Sequence, residues 1–432
     1  MMKLYVSAGL LISAMGVAVP AAAQDVDEYF LNSPIPFDVS RGQNVGVLER
    51  PRPDYEAAGI RTGGFTVYPK LNLGLGYSNN VYGSNTDKIG DGYAAIDPSV
   101  DINSNWARHS VSFTGGADLR RFFSQSAKDE TGLYASGAGH LDIGDSSIDG
   151  LARIRRGYQS QDSGQFPVDA AQSVPFVQTT GQLRGNYQGS RFRLVGFADV
   201  NRINFDNVRS LEATSIDENT RDQTIARGSG RIELATTSNS AVFLQGIYTN
   251  TGYDTKTAIG GLGNRDSHEW DGFAGATFDL SALVRGSIGV GYAKRDYQDV
   301  IYGHIAGVAA DVKLDYFLTQ LTTLTLEGRR SIQDSITPGS GGFFANIATL
   351  RADHELLRNL LLNLRGSYER DTFNNITRRD SAWSTGGGAN YFVNRRLGFT
   401  VDANYIDRTS HGEPQGLTFN EFVGTVSVLF QL

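Results

Sequence analysis

From Gly64 to the last residue, hydrophobic and polar side chains alternate with a period of two. Phe65, Val67, Leu71, Leu73, Leu75 and Tyr77 interleave with Thr66, Lys70, Asn72, Gly74, Gly76 and Ser78. Ile96, Pro98, Val100, Ile102 and Trp106 do the same with Asp97, Ser99, Asp101, Asn103 and Asn105, and Val111, Phe113, Ala117 and Leu119 with Ser110, Ser112, Thr114, Asp118 and Arg120. Successive side chains of an extended chain point to opposite faces, so each run predicts a strand with one apolar and one polar face. Eighteen such runs begin near Gly64, Tyr93, His109, Thr131, Ser147, Val177, Arg191, Asp222, Ala241, Glu269, Val284, His304, Thr322, Phe344, Leu360, Ser381, Leu397 and Thr418. Very short turns (Ala107–Arg108, Gln188–Ser190, Ser281–Leu283, Leu357–Asn359, Asn394–Arg396) alternate with longer polar connections, the longest near 159–176, 205–221 and 250–268. Tilted strands of about ten residues span a hydrocarbon core, and short turns on one side with long loops on the other mark a barrel that crosses it. The expected fold is all-β: a transmembrane antiparallel β-barrel of about eighteen strands over residues 64–432. The first connection, near 79–92, is long, which places both chain ends on the short-turn, periplasmic side.

The aromatic residues fall where such a barrel needs them. Tyr77, Phe123, Tyr158, Tyr248, Tyr292, Tyr368 and Tyr405 end upward strands on the apolar face, and Trp270 and Trp383 open downward ones. Trp106, Tyr187, Tyr316, Tyr391 and Phe430 end downward strands. Amphipathic rings prefer the headgroup zone, so these sets predict an outer and an inner girdle. At the C-terminus, Phe422, Gly424, Val426, Val428, Phe430 and Leu432 share one face. That ending resembles the terminal strand of bacterial outer-membrane barrels, with Phe430 and Leu432 as the expected assembly signal and Leu432 in place of the usual Phe. At the other end, Lys3, the apolar run Leu10–Val19 and Ala21–Ala23 form a secretory signal expected to be cut before Gln24, giving a signal peptide over 1–23.

Composition narrows the class further. Hydrophobic residues make up 40% of the chain, mean hydropathy is −0.27, and no segment after the signal is apolar enough for a membrane helix. Glycine is abundant at 51 residues, beside 23 Phe and 19 Tyr, and cysteine is absent, which excludes disulfides and a lipid anchor on cysteine. The net charge of −7 argues against nucleic acid as a partner.

A barrel of this strand count has a backbone diameter of roughly 35 Å, too wide for side chains alone to fill. Its inward positions are polar. Arg153, Arg155, Arg184, Arg193, Arg227 and Arg231 are expected to line one wall of the lumen, and Asp271, Asp279, Asp311 and Asp315 the other. Two alternatives stay open: opposed walls that set up a transverse field, or charges that pair between neighbouring strands. Residues 24–63, with Pro34, Pro36, Pro51 and Pro53, lack either periodicity and suit a periplasmic tether, a small plug in the mouth, or a docking segment.

Catalytic chemistry finds no foothold in the pattern. The six histidines are scattered; His268, near Asp266 and Asp271 at a loop–strand junction, holds the position an outer-rim protease would use. No His or Cys spacing suits a metal, and Ile259-Gly260-Gly261-Leu262-Gly263 lacks the strand-to-helix setting of a phosphate loop. No enzyme activity, cofactor or metal is expected.

Arg50-Pro51-Arg52-Pro53-Asp54-Tyr55, then Gly59-Ile60-Arg61-Thr62-Gly63-Gly64-Phe65, Tyr68-Pro69 and Tyr77-Ser78-Asn79-Asn80-Val81-Tyr82 resemble the opening of the putative beta-barrel porin 2 family. Members often carry an acidic residue before the Asn-Val pair, where this chain has Ser78-Asn79. The resemblance implies a bacterial outer-membrane barrel that conducts passively and assists exopolysaccharide export, with polysaccharide and a periplasmic export component as partners beside outer-membrane lipids and the barrel-assembly machinery. A general small-solute porin and a structural or adhesive barrel are the alternatives. A porin would need a long inward loop, for which 250–268 is the best candidate. A polysaccharide conduit would need stacking aromatics, for which Phe197, Phe243 and Phe273 face inward.

Overall fold

The computed structural model describes residues 44–256, 264–280 and 283–432. The signal segment 1–23, residues 24–43, the glycine-bearing loop tip 257–263 and the first two residues of the Ser281–Leu283 turn lie outside the described residues. In chain order the strands are β1 (Ile60–Thr62), β2 (Phe65–Ser78), β3 (Asp91–Ser104), β4 (Ser110–Phe122), β5 (Glu130–Ile143), β6 (Ser146–Gln159), β7 (Val174–Gln188), β8 (Phe192–Phe205), β9 (Val208–Arg209), β10 (Ser215–Ile216), β11 (Gln223–Thr237), β12 (Ser240–Tyr253), β13 (Ser267–Leu280), β14 (Val284–Tyr297), β15 (His304–Thr319), β16 (Thr322–Asp334), β17 (Gly342–Leu357), β18 (Leu360–Phe373), β19 (Arg379–Phe392), β20 (Leu397–His411) and β21 (Phe419–Gln431).

The eighteen long strands form one antiparallel sheet in which each pairs with its chain neighbour, and β2 pairs with β21 to close it. A closed ladder leaves no edge, which a bilayer requires because lipid offers no hydrogen bonds to backbone groups. β1 is a hairpin extension of β2, and β9 with β10 makes a small ribbon in the connection after β8. The seam begins at Lys70↔Gln431, one step past Pro69, whose nitrogen cannot donate; the Leu432 amide instead reaches the Pro69 carbonyl at 3.2 Å. Likewise the β3–β4 pairing lapses between Ile96↔Leu119 and Ser99↔Gly116, across Pro98, with the register unchanged. Tight turns rest on glycine where the backbone turns left-handed: Gly144 (φ +70°) joins β5 to β6, and Gly63 (φ +54°) joins β1 to β2.

Alternation sets the two faces. Leu75, Leu183, Leu244, Val290, Leu364 and Val426 are exposed on the outer surface, while residues one step away are buried or half-buried. Trp270 (62% exposed), Tyr292 and Tyr316 lie on that outer face, and rings touch across strands, Tyr248 to Trp270 at 4.4 Å and Trp383 to Tyr405 at 5.4 Å. The outer wall is thus an apolar band with aromatic clusters near its edges, the arrangement a membrane-spanning barrel needs.

Candidate functional site

The lumen is built from the inward residue of every strand pair, so its chemistry follows from the same parity. All ten charged residues expected there lie on the inward parity of their strands. They do not face one another as bare walls. Arg227 Nε lies 2.7 Å from Asp199, Arg193 Nε lies 2.8 Å from Glu233, and Arg231 Nε lies 2.7 Å from the same Glu233. Arg184 donates to Asn186, and Arg153 and Arg155 sit half-buried and buried on β6. The acidic residues stand on β13 and β15, two and four strands on from β11, so they continue the arc of the arginines and do not oppose it across the lumen. Asp311 accepts from Arg329 at 3.1 Å, Asp315 from Arg285 at 2.9 Å, and Asp279 from Asn44 Nδ2 at 2.5 Å. Asp271 lines a cavity together with Glu269, which itself holds Arg295.

Of the two alternatives open from sequence, pairing between neighbouring strands is the geometry present for Arg193, Arg227, Asp311 and Asp315, each with the residue directly opposite, while Arg231 meets Glu233 within β11. Isolated charges of either sign are costly away from bulk water, and directly opposed side chains are within reach of one another. The aromatic faces are also engaged: Arg231 lies 3.6 Å over the Phe243 ring and Arg227 5.9 Å over Phe197. Partners such as Asp199, Glu233, Arg285 and Arg329 escaped the sequence reading, although Glu233 stands two residues from Arg231 on the same face.

Both mouths carry chain that the strands do not account for. At the short-turn mouth, residues 44–56 run along the ends of half the barrel. Gln431 donates to the Tyr55 carbonyl at 3.1 Å, Arg395 to the Pro53 carbonyl at 2.6 Å, and Val47 N to Thr323 Oγ1 at 3.0 Å. Glu49 pairs with Arg285 at 2.7 Å. The centre of this strap is Arg52, 1% exposed, which donates to Glu355 at 2.9 Å and to the Val47 carbonyl at 2.7 Å. Burial pulls its pKa below the ordinary arginine value, and the Glu355 carboxylate opposes that. Where the sequence leaves tether, plug and docking segment open, residues 44–56 are held along the rim of the mouth from β13 to β21; residues 24–43 lie outside the described residues.

At the long-loop mouth an inward segment is 160–173, between β6 and β7; the tip of the 250–268 connection, residues 257–263, lies outside the described residues. Asp162 and Gly164 present their carbonyls to Arg408 (2.6 Å) and Arg378 (3.3 Å) on the far side, and Gln161 donates to the Val81 carbonyl at 2.7 Å. Phe166 anchors it: it is buried with Val174, Phe176, Ile203, Phe205 and Val208. Beneath it, Lys128 is buried with Nζ 4.9 Å from the Tyr82 ring and 5.9 Å from that of Phe166. Burial pushes its pKa down to about 8, against the pull of Glu130 and Glu421. Arg378 and Arg408 converge on Asp380, at 2.6 Å and 2.9 Å, and hold the carbonyls that fix the loop. Below the loop lies a cavity of about 120 Å³, reached by Gln165 from above and lined by Gln223, Thr249, Asp271, Phe273 and Arg295 among others.

The grouping of His268 with Asp266 and Asp271 comes apart, whereas His140 Nδ1 lies 2.6 Å from Asp149 Oδ1. His268 contacts Asn250 at 2.8 Å and Tyr248 at 3.1 Å, Asp266 accepts from Lys256, and Asp271 lies on the opposite face of β13.

The family described as putative beta-barrel porin 2 matches residues 52–432. No curated protein matches the chain. Similar solved structures include a mutant of the ferric enterobactin receptor PfeA of Pseudomonas aeruginosa, 8% identical over 84% of this chain and 80% of that one, with a TM-score of 0.43. They also include the outer membrane protein OpdK of Pseudomonas aeruginosa (12% identity, 85% and 98% covered, TM-score 0.42) and the copper transporter OprC (11%, 86% and 82%, 0.47).

Proposed function

The chain belongs to the putative beta-barrel porin 2 family, and from that premise we propose that this outer-membrane barrel is a passive conduit for hydrophilic solutes, oriented with both ends in the periplasm. The observation that carries this reading is the lumen: many of its inward positions are charged or polar, and arginines there are offset by carboxylates of neighbouring strands. A charge-balanced polar wall keeps water inside while presenting no strong barrier to neutral, hydroxyl-bearing solutes.

Within that reading, two finer ones have different support. The resemblance of the N-terminal motifs favours assistance to exopolysaccharide export, with a periplasmic component docking near the strap. The inward segment 160–173 favours small solutes, because Phe166 and the Arg378–Asp380–Arg408 cluster fix it across the outer mouth. Liposome swelling with a size series of neutral sugars separates the two. Uptake that falls off at a few sugar units supports the small-solute conduit; uptake that extends to long oligosaccharides supports export; swelling with none of them refutes conduction.

A further inference from the structure

The barrel wall parts near its long-loop end. β15 continues to His304 and β16 to Asp334, but their pairing stops at Ala310↔Arg330. Each strand stays bonded to its other neighbour, β15 to β14 through His304 and β16 to β17 through Asp334. Had the register continued, Ala309 would face Ser331, and Val308 would face Ile332. Instead the top of the β16–β17 hairpin leans inward. Ile332 and Phe344 join Ala293, Ile305 and Ala309 in an apolar cluster, and the Phe344 ring lies 3.0 Å from where a Cβ on Gly307 would stand.

An open ladder within a bilayer leaves backbone groups that must be satisfied in another way. Arg330 supplies it here. Its Nε donates to the Val308 carbonyl at 2.9 Å, another nitrogen donates to Asn346 Oδ1, and its guanidinium lies 4.3 Å over the Phe344 ring. All of these partners are neutral. Among the described residues Arg330 makes no ion pair, whereas the arginines around the adjoining cavity do: Arg295 with Glu269 and Asp334, Arg329 with Asp311, Arg227 with Asp199. A guanidinium has five N–H donors in a planar fork suited to a carboxylate, so Arg330 keeps donors and charge to offer. On the inner side the seam opens on the 120 Å³ cavity, whose lining includes Ala309 and Ala310 from β15 and Ser331 and Ile332 from β16. On the outer side Val308 is 55% exposed.

We propose that the β15–β16 seam binds a single-chain alkyl carboxylate that enters from the bilayer. The carboxylate pairs with Arg330, and the chain lies on Ala309, Ile332 and Phe344 toward the cavity. The bilayer side is the natural source, because the seam meets apolar surface outside and an apolar cluster inside. This site requires nothing of the solute that the pore carries.

The test is photolabelling of the full-length protein in phosphatidylcholine vesicles with a decanoate that bears a diazirine at its tail. Labels are expected on the Ala309–Ala310 and Ser331–Ile332 peptides. An excess of plain decanoate should abolish them, while decanol and acetate should not. R330Q should lower this labelling at least tenfold, and A309W, which fills the seam but keeps the guanidinium, should do the same should R330Q assemble poorly. Labels spread evenly over outer-face peptides such as those of Leu244 and Leu364 would overturn the proposal. So would labelling that survives both substitutions, or equal competition by decanol.

Discussion

Arg52 and Glu355 form the buried ion pair that holds the strap at the short-turn mouth. Both are almost wholly buried, so removing one partner leaves a desolvated charge, which costs about 3 kcal/mol or more. Glu355→Ala should therefore free residues 44–56 without unfolding the barrel, whose ladder does not depend on them. The chain has no cysteine, so Val47→Cys, at a position 1% exposed, reports on the strap. Its thiol should react on the order of a hundredfold faster in the Glu355→Ala background; equal rates would mean that the strap is held elsewhere. At the other mouth, Lys128 gives a pH signature. In the unfolded chain a lysine keeps its proton up to about 10.5, whereas the folded site releases it near 8. Between those values the unfolded chain binds more protons, so stability rises with pH across the window, and below it the burial penalty is present in full. Glu130 and Glu421 are the carboxylates that oppose the shift, and Tyr82 and Phe166 enclose the ammonium. Hydrogen exchange of residues 160–173, corrected for intrinsic rate, should slow from pH 7.5 to 10, and Lys128→Met should remove that trend.

Among elements, β21 carries the most consequence because it closes the ring. Phe430 stands opposite Leu71 on β2 and Leu397 on β20. Deleting Phe430–Leu432 should abolish assembly in the outer membrane while leaving export from the cytoplasm intact; normal barrel levels after the deletion would contradict the role assigned to this strand. The strands themselves were legible in the sequence because a wall with lipid on one side and water on the other imposes period two over its whole length. Each expected start lies within three residues of the observed one, with Val177 against Val174 the widest difference. Period two fails where the surroundings change. Ile332 and Phe344 occupy outward positions by parity yet are buried, because the β16–β17 hairpin leans in against β14 and β15. The strap and the 160–173 loop carry no periodicity at all, and their places depend on single long-range contacts such as Arg52–Glu355 and Phe166 with Phe176. Alternation alone places Arg153 to Arg231 and Asp271 to Asp315 on inward parity, but neither their place around the ring nor their pairing was legible, since both depend on strand order and register.

For the whole molecule, the central feature is a polar interior with balanced charge inside an apolar shell. Arg153 and Arg184 are two positive charges of that interior, on neighbouring strands β6 and β7. Arg153→Asp with Arg184→Asp should shift the reversal potential in a salt gradient toward cation preference; an unchanged value would mean that those side chains do not border the ion path. The measurement that tests the account most directly is single-channel conductance in a planar bilayer, made on the mature protein and on its Glu355→Ala variant. A passive conduit with a strap along its mouth predicts a stable, ohmic conductance in the parent protein and a larger one once the strap is released. A barrel that stays silent in both forms, at every voltage, would contradict it.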